Sequence, residues 1–139
     1  MINDEMYNCV YRTLYETIRL KSKFSPYVKP ILTGSDYPIV VIESVENTTL
    51  QRLNGGLESI SLIGIEINIY TKQMTVGTTT YMAVNVAKEI RNIVDEVCTD
   101  MFDMKRVLCK PTPNLDNGAI YRLTMRYNAK QNDNRSSFY

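Results

Sequence analysis

The chain contains no histidine, and that count alone removes much familiar chemistry. No Ser-His-Asp or Cys-His relay, His-ligated zinc or imidazole acid-base pair is possible. Cys9, Cys98 and Cys109 show no C-x-x-C spacing, so they do not form a zinc pattern. Their odd number also argues against a disulfide framework, and three reduced, mostly buried thiols are expected. The carboxylates offer one arrangement to test. Glu66-Ile67-Asn68 falls where metal-dependent nucleases carry Glu-x-Lys, with Asp36, Glu43 and Glu46 as companions. Asparagine at 68 leaves nothing to stabilise the charge of an attacked phosphate. Carboxylates on the solvent side of strands are the simpler expectation. Neither a Gly-x-x-x-x-Gly-Lys loop nor a Gly-x-Gly-x-x-Gly turn occurs, and Gly55-Gly56 precedes a strand pattern rather than opening a helix. The residues therefore predict no enzyme, no metal and no cofactor, and a structural or interaction role.

Charge gives the second lead. Sixteen basic and fifteen acidic side chains leave a net charge of +1, too little for bulk attraction to a polyanion. The distribution is uneven, however. Residues 1–100 carry nine basic and twelve acidic groups, and residues 101–139 carry seven and three. Arg122 and Arg126 lie on the polar side of the last predicted strand, flanked by Tyr121 and Tyr127, which could stack on bases. Strand alternation places those tyrosines and arginines on opposite faces. An exposed basic face or a protein contact is the preferred reading, and a nucleic-acid-binding accessory protein is the alternative, marked by affinity that falls steeply with salt.

The elements that must position these residues follow from periodicity. A chain of 139 residues with 44% hydrophobic and 22% charged side chains has room for one globular domain. Met6, Val10, Leu14 and Ile18 recur every four residues, predicting an amphipathic helix over Asp4–Lys21, with Tyr7, Tyr11 and Tyr15 on the adjacent ridge. Phenols reaching water along the edge of a core face are preferred to a tyrosine partner surface. Ser25 to Pro38 holds three prolines and reads as a loop, at most with a short extended piece. A strand is predicted over Ile39–Val45, and Asn47–Gly56 reads as a polar connection. Leu57–Thr71 is the clearest strand, with Ile63, Ile65, Ile67 and Ile69 alternating with Gly64, Glu66, Asn68 and Tyr70. The two strands are expected to pair antiparallel.

A second helix is predicted over Tyr81–Cys98, capped by one of Thr78, Thr79 or Thr80. Lys105–Lys110 and Ala119–Asn128 complete the strands, with Asp116-Asn117-Gly118 as a turn signal between them. The fold class is α+β, an antiparallel sheet of about four strands packed against two helices in the order α-β-β-α-β-β. Residues 1–129 form a single domain and 130–139 a flexible polar tail. The first residues, Met1 to Glu5, are acidic and lack the pattern of a signal peptide, and the longest apolar run is Ile39–Ile42. A soluble protein made in the cytoplasm is expected.

This arrangement resembles the bacteriophage tail terminator proteins, also called tail completion or neck proteins. The resemblance spans most of the chain. It rests on the N-terminal helix, the strand led by Tyr37-Pro38, the alternating strand ending Ile65 to Thr71, the helix with Ala83 and Ala87, and the last strand Tyr121 to Tyr127. It implies a structural virion protein forming a homohexameric ring at the head-proximal end of the tail tube. There it would stop tail growth and join tail to head, after virus assembly in the host cytoplasm. The implied partners are further copies of the chain, the tail tube protein and head connector or adaptor proteins, with DNA only passing through the ring and no membrane. A head-side connector of the neck is the structural alternative. Contacts are expected from the Asn47–Gly56 segment and the C-terminal region, through Thr48, Thr49, Gln51, Arg52, Asn54, Arg122, Arg126, Lys130 and Arg135. The charge asymmetry suits a head-to-tail contact between copies.

Overall fold

A computed structural model describes residues 4–34, 36–53, 58–112 and 120–134. Helix α1 spans Asp4–Lys21, as the four-residue spacing predicts. Val10, Leu14 and Ile18 are fully buried, and Arg19 and Lys21 in the last turn complement the helix dipole. The tyrosine ridge is less exposed than expected. Tyr7 Oη donates to the Ile42 carbonyl at 2.7 Å and Tyr11 Oη to that of Val28 at 3.1 Å. Burial raises the pKa of both phenols above the ordinary tyrosine value. Tyr15 alone of the three is exposed.

The main sheet has five strands in the order β1-β2-β3-β7-β6. They are β1 Tyr27–Lys29, β2 Ile39–Leu53, β3 Glu58–Thr71, β6 Lys105–Pro111 and β7 Tyr121–Asn134. Only β1 runs parallel to its neighbour, β2; the other pairings are antiparallel. The class is thus α+β with a mostly antiparallel sheet, and the strand count and element order are corrected. The short extended piece in the proline-rich segment is β1. A separate hairpin of β4 (Met74–Val76) and β5 (Thr79–Tyr81) precedes the second helix. Its turn uses Gly77 at φ +63°, a conformation that a side chain disfavours.

Helix α2 spans Ala83–Asp95, with Met82 at the N-cap and no side-chain cap. The threonine cap is therefore corrected: Thr79 and Thr80 belong to β5, where Thr80 Oγ1 bonds Thr75 Oγ1 at 3.1 Å. Glu96–Met101 widens into a π-helical segment. Thr99 Oγ1 donates to the Asp95 carbonyl at 2.5 Å, occupying the acceptor that the next α-helical N–H would use. The core lies between the helices and one face of the sheet. Ile63, Ile65, Ile67 and Ile69 of β3 meet Val10, Leu14, Ile18, Val86, Ile90 and Val94, with Leu123, Met125 and Tyr127 beside them. On the opposite face Ile39, Val41, Tyr70 and Ile120 form a smaller cluster with Tyr37.

The largest difference from the sequence reading lies at one end of the sheet. Asn47–Leu53 is not a connection but the second half of β2, and β7 continues past Lys130 to Asn134. Thr48 opposes Leu62, which in turn opposes Lys130; Arg52, Ser59 and Asp133 form a row farther out. Three strands thus extend beyond the last described isoleucine of the core, Ile63, by about 17 Å along β3. Register shifts between Ser44 and Glu46 and between Thr49 and Gln51 mark bulges in β2, whereas β3 and β7 pair without interruption. Pairing on both sides of β3 satisfies the backbone without any apolar alternation in the flanking sequence.

Candidate interaction surface

The sheet face turned away from the helices carries the described polar cluster nearest to a site. Asn68 on β3 is almost fully buried. Its Oδ1 accepts from Arg122 Nε at 3.0 Å and from Thr124 Oγ1 at 2.7 Å. The Thr124 hydroxyl thereby uses its one proton, so Thr112 must be the donor in the 2.5 Å contact between the two threonine oxygens. Asn68 Nδ2 donates to Glu66 Oε2 at 3.2 Å, and Arg126 Nη2 donates to Glu66 Oε1 at 3.1 Å. The series runs from Thr112 through Thr124 and Asn68 to Glu66, where Arg126 neutralises the charge.

Local structure explains each placement. Glu66 opposes Arg126, Asn68 opposes Thr124, and Tyr70 opposes Arg122 across the β3–β7 ladder. Directly opposed residues share a face at close range, so the network is a consequence of register. Glu43 on β2 also opposes Glu66, and Arg126 offsets that like-charge contact. Arg122 lies 5.5 Å from the Tyr70 ring centre, where a guanidinium is attracted to the π face. Burial is the main cause raising the Tyr70 pKa, and Arg122 partly opposes it.

The residues at the nuclease-like position thus have structural partners. Asn68 bridges two strands, and its amide supports the Glu66 carboxylate. Among the described residues no group of three or more His, Cys, Asp or Glu side chains is placed to hold a metal. A second polar cluster sits under the π-helical segment. The Asp95 carboxylate accepts from the Tyr127 hydroxyl on one oxygen and from Arg106 Nη1 on the other, the latter at 2.6 Å. Tyr127 and Cys98 are fully buried there. Burial and then the Asp95 hydrogen bond push the Tyr127 pKa well up, and burial pushes the Cys98 thiol up to about 12. With phenol and thiol held neutral, this cluster ties α2 to β6 and β7.

The predicted contact residues fall into two groups. Thr48, Thr49, Gln51 and Arg52 on β2 and Lys130 on β7 come together in the three-stranded extension, although sequence analysis assigned them to a loop and a tail. Arg122 and Arg126 lie farther along β7, on the body of the sheet. Asn54 and Arg135 lie outside the described residues. Tyr121 and Tyr127 pack with the helix-side core, so neither forms a stacking platform beside the arginines. Sequence analysis missed Asn68, Thr124 and Thr112; only the buried position of residue 68 within an alternating strand could have marked the first.

The extension meets the body at a cleft of about 370 Å³ lined by Leu62, Asp103, Lys105, Val107, Asn128 and Lys130. Val107 is exposed there, and Asn128 Oδ1 is buried without a hydrogen-bond partner. Charge divides across the sheet. β1 and β2 carry Lys29 and Arg52 against Glu43 and Glu46, whereas β6 and β7 carry Lys105, Arg106, Lys110, Arg122, Arg126 and Lys130 against Asp133. Basic residues are therefore in excess on the β6–β7 side, while the β1–β2 side balances. Among the described residues no helix is long and apolar enough to cross a membrane. No protein-family model matches the chain, and no match is found among curated proteins.

Proposed function

We propose that the chain is a structural virion protein, a tail terminator whose copies form a ring, a homohexamer, at the head-proximal end of a phage tail tube. In this reading it stops tube growth and presents a docking surface to the head connector. DNA passes through the ring, and the chain performs no catalysis. The observation that carries the proposal is the three-stranded extension at one end of a sheet whose basic residues are in excess on the β6–β7 side alone. The two sides of the sheet are unlike, one basic and one neutral, and unlike surfaces meet head to tail in contacts that close into rings when the rotation per contact permits. The extended strands also gather five of the nine predicted contact residues at one end, where a neighbouring protein can engage them together.

The test is polymerisation of the cognate tail tube protein with and without this chain, read by electron microscopy. Tubes of limited length with added density at one end are expected. Tubes that grow equally long and remain bare would contradict the terminator role. Binding to isolated head connectors without any effect on tubes would instead favour a head-side adaptor.

A further inference from the structure

Lys105 and Lys110 both lie on β6, at an odd spacing that would send their side chains to opposite faces of a regular strand. They do not end there. Lys105 opposes Asn128, Lys110 opposes Thr124, and the register shifts between Arg106 and Leu108. Directly opposed residues share a face, and alternation puts Asn128 and Thr124 on one face of β7. The bulge at Val107 therefore turns both lysines to the sheet face away from the helices, a re-aiming of side chains that bulges commonly perform. Arg106 stays on the helix side, where Asp95 holds it.

β7 places Arg122, Arg126 and Lys130 on that same outer face, at every fourth residue. Lys110 is level with Thr124 and Lys105 with Asn128, so the two strands interleave their charges. The result is a row in the order Arg122, Lys110, Arg126, Lys105, Lys130, with one cation at every second residue of β7, about 7 Å apart along the strand. All but the half-buried Arg122 are exposed. Two carboxylates stand close: Glu66 accepts from Arg126, and Asp103 lines the cleft with Lys105 and Lys130. Five cations against these two carboxylates leave an excess of three positive charges on this strip.

Cations set in line at a constant step fit a polymer with a repeated anionic group, whereas a folded protein surface has no such repeat. We propose that this row binds the phosphate backbone of double-stranded DNA without reading its sequence. Base stacking plays no part, since Tyr121 and Tyr127 pack with the helix-side core. The inference rests on the ring reading for the source of the DNA, and the contact itself is tested on the chain alone.

Fluorescence anisotropy with two short DNA duplexes of unrelated sequence provides the test. Both should bind equally, with log affinity falling against log salt at a slope of about −3. Lys105→Gln/Lys110→Gln should flatten that slope by about 2 and weaken binding at least about tenfold at low salt. Arg12→Gln/Lys88→Gln removes the same charge from exposed positions on the helices and should stay within about twofold of the wild type. Equal weakening by the two double variants would reduce the contact to net charge and overturn the row. No duplex binding at low salt would also overturn it, while tube-length control could still hold. Capture of the tail tube protein that depends on Lys105 and Lys110, without duplex binding, would overturn it in favour of a protein contact.

Discussion

The two ends of β3 are held by different physics. From Ile63 to Ile69 each alternate residue is an isoleucine buried under the helices, so a slip of one residue would put the apolar ladder on the wrong face. From Glu58 to Leu62 the strand continues beyond the isoleucine ladder, with Ile60 and Leu62 out of phase with it, and it pairs with β2 and β7 on both sides. The first end fixes the fold. The second extends three paired strands past that core. An element can therefore be regular without a core of its own when its neighbours are held in register nearby.

This contrast is sharpened most by cutting into the body. Ile67→Ala removes a fully buried side chain at the centre of the ladder and should cost about 2–5 kcal/mol in urea unfolding. A cost below about 1 kcal/mol would show that burial does not anchor this end. Alkaline titration should come next. The folded-state pKa values of Tyr127 and Cys98 are raised above their ordinary values of 10.0 and 9.0. Their protonated forms keep the fold stable below pH 9. As pH rises above 9 the unfolded chain releases these protons first, so stability falls, until the folded groups also titrate. The limiting slope is about 1.4 kcal/mol per pH unit for each group. Cys98→Ala should reduce the pH-dependent loss between pH 9 and about 12, which equilibrium unfolding at several pH values would detect.

Smaller effects are expected from polar groups that hold elements together. Tyr127→Phe removes a hydrogen bond to the Asp95 carboxylate and should destabilise by about 1.5–3 kcal/mol in the same assay. Arg126→Ala should cost less than about 1 kcal/mol, since the side chain is 44% exposed in its contact with Glu66. If Arg126 contributes to association, the variant should weaken assembly at low salt more than it lowers thermal stability.

Sequence legibility follows the same division. The α1 spacing and the isoleucine alternation were readable because burial imposes a period on residue type. The antiparallel β2–β3 pairing followed from their adjacency, and the buried α2 face from Ala87, Ile90 and Val94. Asn47–Leu53 and Lys130–Asn134 carry no such apolar period, so their strand pairing was hidden in the backbone. The threonine cap was misplaced because Thr79 and Thr80 had a competing use in β5. At the surface, Arg122 and Arg126 were visible as a basic strand face. Their partners Asn68 and Glu66 depended on a register that the sequence does not print.

Native mass spectrometry over a wide concentration range tests the central claim most directly. A closed assembly at six times the 16.0 kDa chain mass is the predicted result. A chain that remains at 16.0 kDa throughout, with no larger species at any concentration, would contradict a self-assembling ring.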